Sequence, residues 1–167
     1  MPMSLEEFAE RCRAALLADQ GPPGREAVCR LVQEALKDRE FVAAQLPDGA
    51  PERKILYEDP ELGFAIVGHV YQGAKASQPH DHGTTWAIYG QAAGETLMTD
   101  WIAVARPQAG QPGQVRRGRD YALRPGDAHL YHPGDVHSPR RDGPTRLLRI
   151  EGVNTDRIER FPYEEVA

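Results

Sequence analysis

The 167-residue chain has only two cysteines, Cys12 and Cys29, and no CxxC pair. A secreted scaffold stapled by disulfides carries more, and two separate thiols make no zinc site without other ligands. A reducing, cytoplasmic setting is the expectation. The N-terminus has acidic residues early and no long apolar run, so neither a signal peptide nor a membrane span is expected. No GxSxG segment offers a serine nucleophile, and no glycine-rich phosphate loop occurs. A basic excess is missing too: 20 Lys and Arg stand against 25 Asp and Glu, and the net charge of −5 argues against nucleic acid as a partner. The short Arg116-Arg117-Gly118-Arg119 cluster reads as a solvated loop. Long repeats and low-complexity tracts are also lacking.

What remains is the composition of one soluble domain, 40% hydrophobic and 27% charged. Ser4-Leu5-Glu6-Glu7 has the form of a capping box, and Leu5, Phe8, Cys12 and Leu16 share one helical stripe. Gly21-Pro22-Pro23-Gly24 stops that helix. Val28, Leu31, Val32, Ala35 and Leu36 then mark a second helix running to about Ala44, which places both cysteines in the core of a helical pair. After Leu46-Pro47-Asp48-Gly49 the character changes to short runs of Val, Ile, Tyr and Trp broken by Gly, Pro, Asp and Asn. Strands are expected at Arg53–Glu58, Phe64–Val70, Thr84–Tyr89, Glu95–Val104, Asp120–Leu123, Ala128–Tyr131 and Thr145–Gly152. Such spacing suggests an antiparallel sandwich or barrel. The expected architecture is mainly β: a helical segment over residues 1–46 packed on a barrel over 47–167, together one structural domain. Asp156 to Val166 is expected as a short helix or an extended tail.

Chemistry concentrates in His80-Asp81-His82 and in His137, which ends Pro133-Gly134-Asp135-Val136-His137. Histidines at i and i+2 on a strand project from one face. Neutral imidazoles are good ligands for iron, zinc, copper and nickel. A third histidine delivered by a Pro-Gly turn would close a three-histidine site with positions left open.

Pro79-His80-Asp81-His82, with Ala87 and Gly94 further on, resembles the first sequence motif of the cupins, in which HxH is followed by a Glu and a Gly. Leu123-Arg124-Pro125-Gly126-Asp127, running through His132-Pro133-Gly134 to His137, resembles their second motif. The resemblance implies a double-stranded β-helix, a barrel of the jelly-roll class. Ala87 stands where that pattern has its ligand glutamate, leaving His80, His82 and His137 as an all-histidine set. In this the chain resembles the thiol dioxygenases, cysteine dioxygenase and 3-mercaptopropionate dioxygenase, which also carry an HDH tripeptide and an N-terminal helical segment. Trp86 shortly after HDH is a further likeness.

That resemblance implies a non-haem Fe(II) centre, with zinc or nickel as alternatives, and a small-molecule substrate together with dioxygen. It also implies an arginine near Arg53 for the substrate carboxylate. Pairing of barrels into a homodimer through edge strands is compatible with it. One departure is sharp: where those enzymes have a His and a Tyr on a late strand, this chain has Arg149 and Glu151. Arg149 is then a second candidate carboxylate anchor. Glu151 is a candidate base or the ion-pair partner of Arg149, and Tyr131 a candidate replacement for the missing phenol. His69 reads as structural. Another metal-dependent cupin enzyme, or a non-catalytic small-ligand binder, would share these motifs.

Overall fold

Over the described residues, 1–166, the computed structural model has three α-helices followed by ten β-strands. Helix α1 (Leu5–Ala18) begins as its capping box predicts, with Ser4 Oγ accepting from Glu7 N at 3.1 Å. Its stripe of Phe8, Cys12 and Leu16 is buried. Helix α2 (Pro22–Leu36) opens on Gly21 with proline in its first turn, where a missing N–H costs nothing. The expected continuation to Ala44 is instead a separate helix, α3 (Arg39–Gln45). Asp38 causes the break: its carboxylate caps α3 by accepting from Phe41 N at 3.0 Å and also holds Met3 N at 2.8 Å. Burial raises the Cys12 thiol to about 12 and the Cys29 thiol to about 11, so both stay protonated core groups. No helix among the described residues is long and apolar enough to cross a membrane.

The strands form two five-stranded sheets. The first has the order β1 (Lys54–Glu58), β2 (Ala65–Tyr71), β9 (Thr145–Glu151), β4 (Ala87–Ala93), β7 (Ala128–Tyr131). The second has the order β10 (Tyr163–Glu165), β6 (Gly113–Leu123), β5 (Thr96–Ala105), β8 (Val136–Arg141), β3 (Lys75–Ala76). All pairings are antiparallel except β10 with β6. Strands close in sequence alternate between the sheets, which is the double-stranded β-helix expected, with the helices on the outside of the first sheet.

Parity along the strands follows from that layering. On the first sheet both faces are covered, so β2 is buried at Ala65–Val70 rather than alternating. Ile66, Ile88, Leu148 and Ile150 pack outward with Phe8, Val28, Val32 and Phe41 of the helices. Ala87 and Tyr89 face inward with Met98, Leu123 and Tyr131. Because Tyr89 pairs with Arg149 and Ala87 with Glu151 across β4 and β9, those β9 side chains enter the barrel as well.

Three local expectations are corrected. The arginine cluster lies not in a loop but in β6, where Arg117 pairs with Asp120 and Arg119 with Asp100 on β5. Val136–Arg141 forms a strand that Pro139 and two arginines concealed. The C-terminal segment is both things at once: one 3-10 turn at Thr155–Arg157, then the extended β10.

Candidate metal centre

His80 and His137 meet through the backbone. They form an isolated antiparallel bridge, with His80 N donating to His137 O at 3.0 Å and His137 N to His80 O at 2.9 Å. Directly opposed residues put their side chains on one face. The HxH segment is not regular strand, since β4 starts only at Ala87. A turn with Gly83 at φ +62° follows it, and Asp81 stabilises that turn by accepting from Gly83 N at 3.0 Å and from the Tyr163 hydroxyl at 2.8 Å. The alternation still holds: Asp81 turns away while His80 and His82 converge, their ring centres 5.6 Å apart. One ligand atom from each of His80, His82 and His137 lies within 4.8 Å of the others.

Two of the rings are oriented by backbone carbonyls. His80 Nδ1 donates to Gln78 O at 2.8 Å and His137 Nδ1 to Asp135 O at 3.1 Å, so each presents its Nε2 lone pair to the centre. His82 Nδ1 faces Arg149 Nη2 at 3.4 Å and, opposite a donor-only guanidinium, can only accept. His82 Nε2 and His137 Nε2 are 3.1 Å apart, a spacing that needs a shared proton or a cation between them. Two imidazoles bound to one metal at about 2.0–2.1 Å stand about 3.0–3.4 Å apart, so His82 and His137 are spaced for an ion that displaces that proton, with His80 in the same cluster. Burial, then the hydrogen bond to Gln78 opposing it, brings His80 down to about 4. Burial, reinforced by Arg149 and by neighbouring imidazoles, holds His82 and His137 well below 6.5. All three rings are therefore neutral, the form that ligates metal.

A phenol stands over the centre, and it belongs to Tyr89. Its hydroxyl is 3.3 Å from His82 Nε2 and 3.2 Å from His137 Nε2, and it accepts from Arg149 Nη1 at 3.2 Å. Burial raises its pKa against the opposing charge of Arg149, so it stays protonated. Tyr131, the expected candidate, sits elsewhere in the same wall. Its ring stacks on His137 at 4.1 Å, but its hydroxyl is bonded to Tyr121 at 2.6 Å, and Tyr121 in turn donates to Asp100 at 2.8 Å.

Arg149 and Glu151 do share a face of β9, and Arg149 Nε lies 2.7 Å from Glu151 Oε2. The contact is an ion pair without hydrogen-bond alignment, since Nε has no hydrogen-bond partner. Glu151 also accepts from Arg53 Nη1 and Nη2, both at 2.9 Å, and from Thr155 N at 2.9 Å and Thr155 Oγ1 at 3.2 Å. Burial pushes this carboxyl up, but those bonds and the two guanidinium charges outweigh it and hold it at about 2. Glu151 thus has no free lone pair and no proton affinity near neutrality for a base. Arg53 is engaged likewise, giving its remaining contacts to Asn154 at 3.0 Å and Asp156 at 3.2 Å.

A cavity of about 560 Å³ opens beside His80, lined by His80, Tyr89, Arg149, Arg53, Arg141 and His69 among others. Of these, Tyr89, Arg141 and His69 were not anticipated as site residues.

No protein-family model and no curated protein matches the sequence. Solved structures do match. A cupin superfamily protein from Desulfitobacterium hafniense is 13% identical, with 66% of this chain and 96% of that one covered and a TM-score of 0.46. A cupin-2 domain containing protein from Shewanella frigidimarina is 14% identical over 59% of this chain and 76% of that one, with a TM-score of 0.41. The cupin domain of Cnp3 from Schizosaccharomyces pombe is 10% identical, covering 62% and 64% of the two chains, with a TM-score of 0.45. These neighbours are cupin proteins that share little sequence with this chain.

Proposed function

We propose that this chain is a metal-dependent oxygenase in which His80, His82 and His137 hold Fe(II) and a small carboxylate-bearing thiol reacts with dioxygen. The observation that carries the reading is the convergence of three neutral imidazoles beside a cavity that His80 and the protonated Tyr89 phenol line. When bound, a divalent ion supplies open positions for thiol and dioxygen and lowers the pKa of a coordinated thiol. An all-imidazole set adds no negative charge, so the site favours anionic ligands. The Arg149 guanidinium beside it acts in the same sense.

Tyr89 holds its proton at Oη, where it can donate to an atom bound in front of His82 and His137. Arg149 fixes that hydroxyl by donating to it at 3.2 Å, and its guanidinium carbon lies 4.7 Å from the Tyr89 ring centre. A hydrolase reading is weaker, because the carboxylate of this wall, Glu151, is ionised and fully engaged by Arg53, Arg149 and Thr155. Hydrolysis at a metal centre usually needs a free general base.

The test is elemental analysis of protein purified without added metal or chelator, beside His80→Ala, followed by oxygen-electrode assays with 3-mercaptopropionate and cysteine. Iron at about one ion per chain, lost in the variant, with thiol-dependent oxygen uptake is the expected result. Zinc or nickel without oxygen uptake would move the function to a non-redox enzyme or a small-ligand binder of the same fold. Absence of any metal would sink the histidine centre.

A further inference from the structure

The cavity holds a second polar arrangement that the histidines do not use. Strand β8 turns His137, Pro139 and Arg141 to the same face, so His137 and Arg141 are separated by about 13 Å along the strand. Arg141 is only 3% exposed. Its Nε donates to Thr96 Oγ1 at 3.1 Å and its guanidinium carbon lies 4.9 Å from the Tyr71 ring centre. Among the other buried or half-buried arginines, Arg13 has Asp59, and Arg53 and Arg149 share Glu151, while Arg25, away from this cavity, meets only the His132 ring. Arg141 has no carboxylate partner among the described residues, yet it lines the cavity. A buried guanidinium without a counter-anion is costly, and here Nη1 and Nη2 form its free donor edge. Two parallel N–H donors match the two oxygens of a carboxylate.

His69 supplies an independent sign of a ligand. It is 4% exposed and lines the same cavity. Its Nδ1 donates to Glu52 O at 2.8 Å, which leaves Nε2 as a hydrogen-bond acceptor, and that atom has no partner. The His69 ring stacks on Tyr71 at 5.7 Å, so Tyr71 touches both His69 and Arg141 and joins them in one wall.

We infer that Arg141 anchors the carboxylate of a small molecule bound in this cavity, while His69 Nε2 accepts a hydrogen bond from a donor group on that molecule. The ligand class is a short hydroxy-, amino- or mercapto-carboxylic acid. The inference rests on the proposed function only for the reactive end of the molecule; capture of the acid needs no metal. Arg53 does not serve here because Glu151, Asn154 and Asp156 already take its donors.

The experiment is calorimetric titration of metal-free and zinc-loaded protein with 3-hydroxypropionate, 3-hydroxypropionamide, propionate and inorganic phosphate. The acid is expected to bind at least about tenfold more tightly than its amide and than phosphate in both metal states. Arg141→Met is expected to remove that preference without changing zinc stoichiometry, and Arg141→Lys to keep part of it. His69→Phe is expected to abolish the advantage of 3-hydroxypropionate over propionate while propionate binding persists. Equal binding of acid and amide, preference for phosphate, or unchanged affinity in Arg141→Met would each overturn the assignment. Should Arg141→Met not fold, the acid–amide comparison in the unmodified protein and in Arg141→Lys decides it. Acid capture without any zinc binding would remove the metal reading and leave Arg141 standing. Zinc binding without acid–amide discrimination would do the reverse.

Discussion

Tyr89 lies two residues beyond Ala87 on β4, so both side chains enter the barrel, and its hydroxyl ends 3.2 Å from His137 Nε2. Removing that one oxygen tests the site at its smallest scale. Tyr89→Phe keeps the ring and its contacts with Tyr131 at 5.1 Å and His137 at 5.5 Å, so the barrel should close as before. Arg149 Nη1 loses an acceptor, at a cost of about 1–2 kcal/mol measured by urea denaturation. Metal content is expected to stay unchanged, while thiol-dependent oxygen uptake falls by about a hundredfold if the phenol moves a proton in the reaction. Full activity in a metal-replete Tyr89→Phe would remove Tyr89 from the chemistry. Part of this residue's role was legible in the sequence. The motif likeness puts Ala87 at a ligand position and hence facing inward, and simple alternation carries Tyr89 to the same face. Arg141 was hidden, because Ser138-Pro139-Arg140-Arg141 reads as a break rather than as a strand carrying His137 and Arg141 together. His69 lay on an expected strand with Tyr71 two residues on and on the same face, but the Glu52 carbonyl that fixes its ring belongs to no local pattern.

The helical layer is tied to the first sheet by packing and by one buried carboxylate. Periodicity located α1 and the start of α2, yet it could not separate α2 from α3, because Phe41 continues the apolar face and only the Asp38 cap marks the break. Close contact in this layer shows at Gly90 on β4, where a Cβ would meet Val32 Cγ1 at 2.6 Å and Leu148 O at 2.8 Å. Gly90→Ala is therefore expected to lower stability by about 1–3 kcal/mol through overpacking. Thermal unfolding unchanged from the parent would show that α2 yields freely. The carboxylate is Asp59, just beyond β1. Burial raises it, but donors from Leu62 N at 2.7 Å, the Tyr57 hydroxyl at 2.8 Å, Arg13 of α1 at 2.8 Å and Glu61 N at 3.1 Å outweigh burial and hold it at about 2, below its ordinary 3.8. A depressed carboxylate contributes in full above its ordinary pKa, and the contribution is lost as pH falls through the folded value. The stability gap between the parent and Asp59→Asn should thus be widest above pH 3.8 and close as pH nears about 2. Glu151 titrates in the same range but is present in both proteins, so it cancels from the difference. A gap independent of pH would mean that Asp59 acts through shape alone.

At the scale of the molecule, ordered motifs carried more information than strand boundaries did. The expected edges of several strands were displaced, β8 was unforeseen and β6 was far longer than expected, but the spacing from His80 to His137 survives all of these errors. The reason is topological: residues 80 and 137 form a backbone bridge that continues the pairing of β3 with β8, between segments far apart in sequence. In the metal-free protein one shared proton holds His82 Nε2 and His137 Nε2 at 3.1 Å, beside the Arg149 guanidinium in a buried wall. An ion that binds the folded chain and not the unfolded one takes the place of that proton and adds stability by mass action. At a free concentration one hundredfold above Kd the gain is about 2.7 kcal/mol, which for a domain of this size corresponds to a Tm rise of about 5–10 °C. Chelator-treated protein should therefore melt lower, recover on addition of Fe(II) under anaerobic conditions or of zinc, and rise further with each increase in metal. His137→Ala should start from a lower Tm, because the Tyr131 ring that stacks on His137 at 4.1 Å loses its partner. Its metal-dependent increment should vanish, since two imidazoles remain where three are needed for a closed face of ligands. Scanning calorimetry of both proteins with and without metal separates the two effects, and an increment of equal size in His137→Ala would show that the stabilising ion binds somewhere other than between His80, His82 and His137.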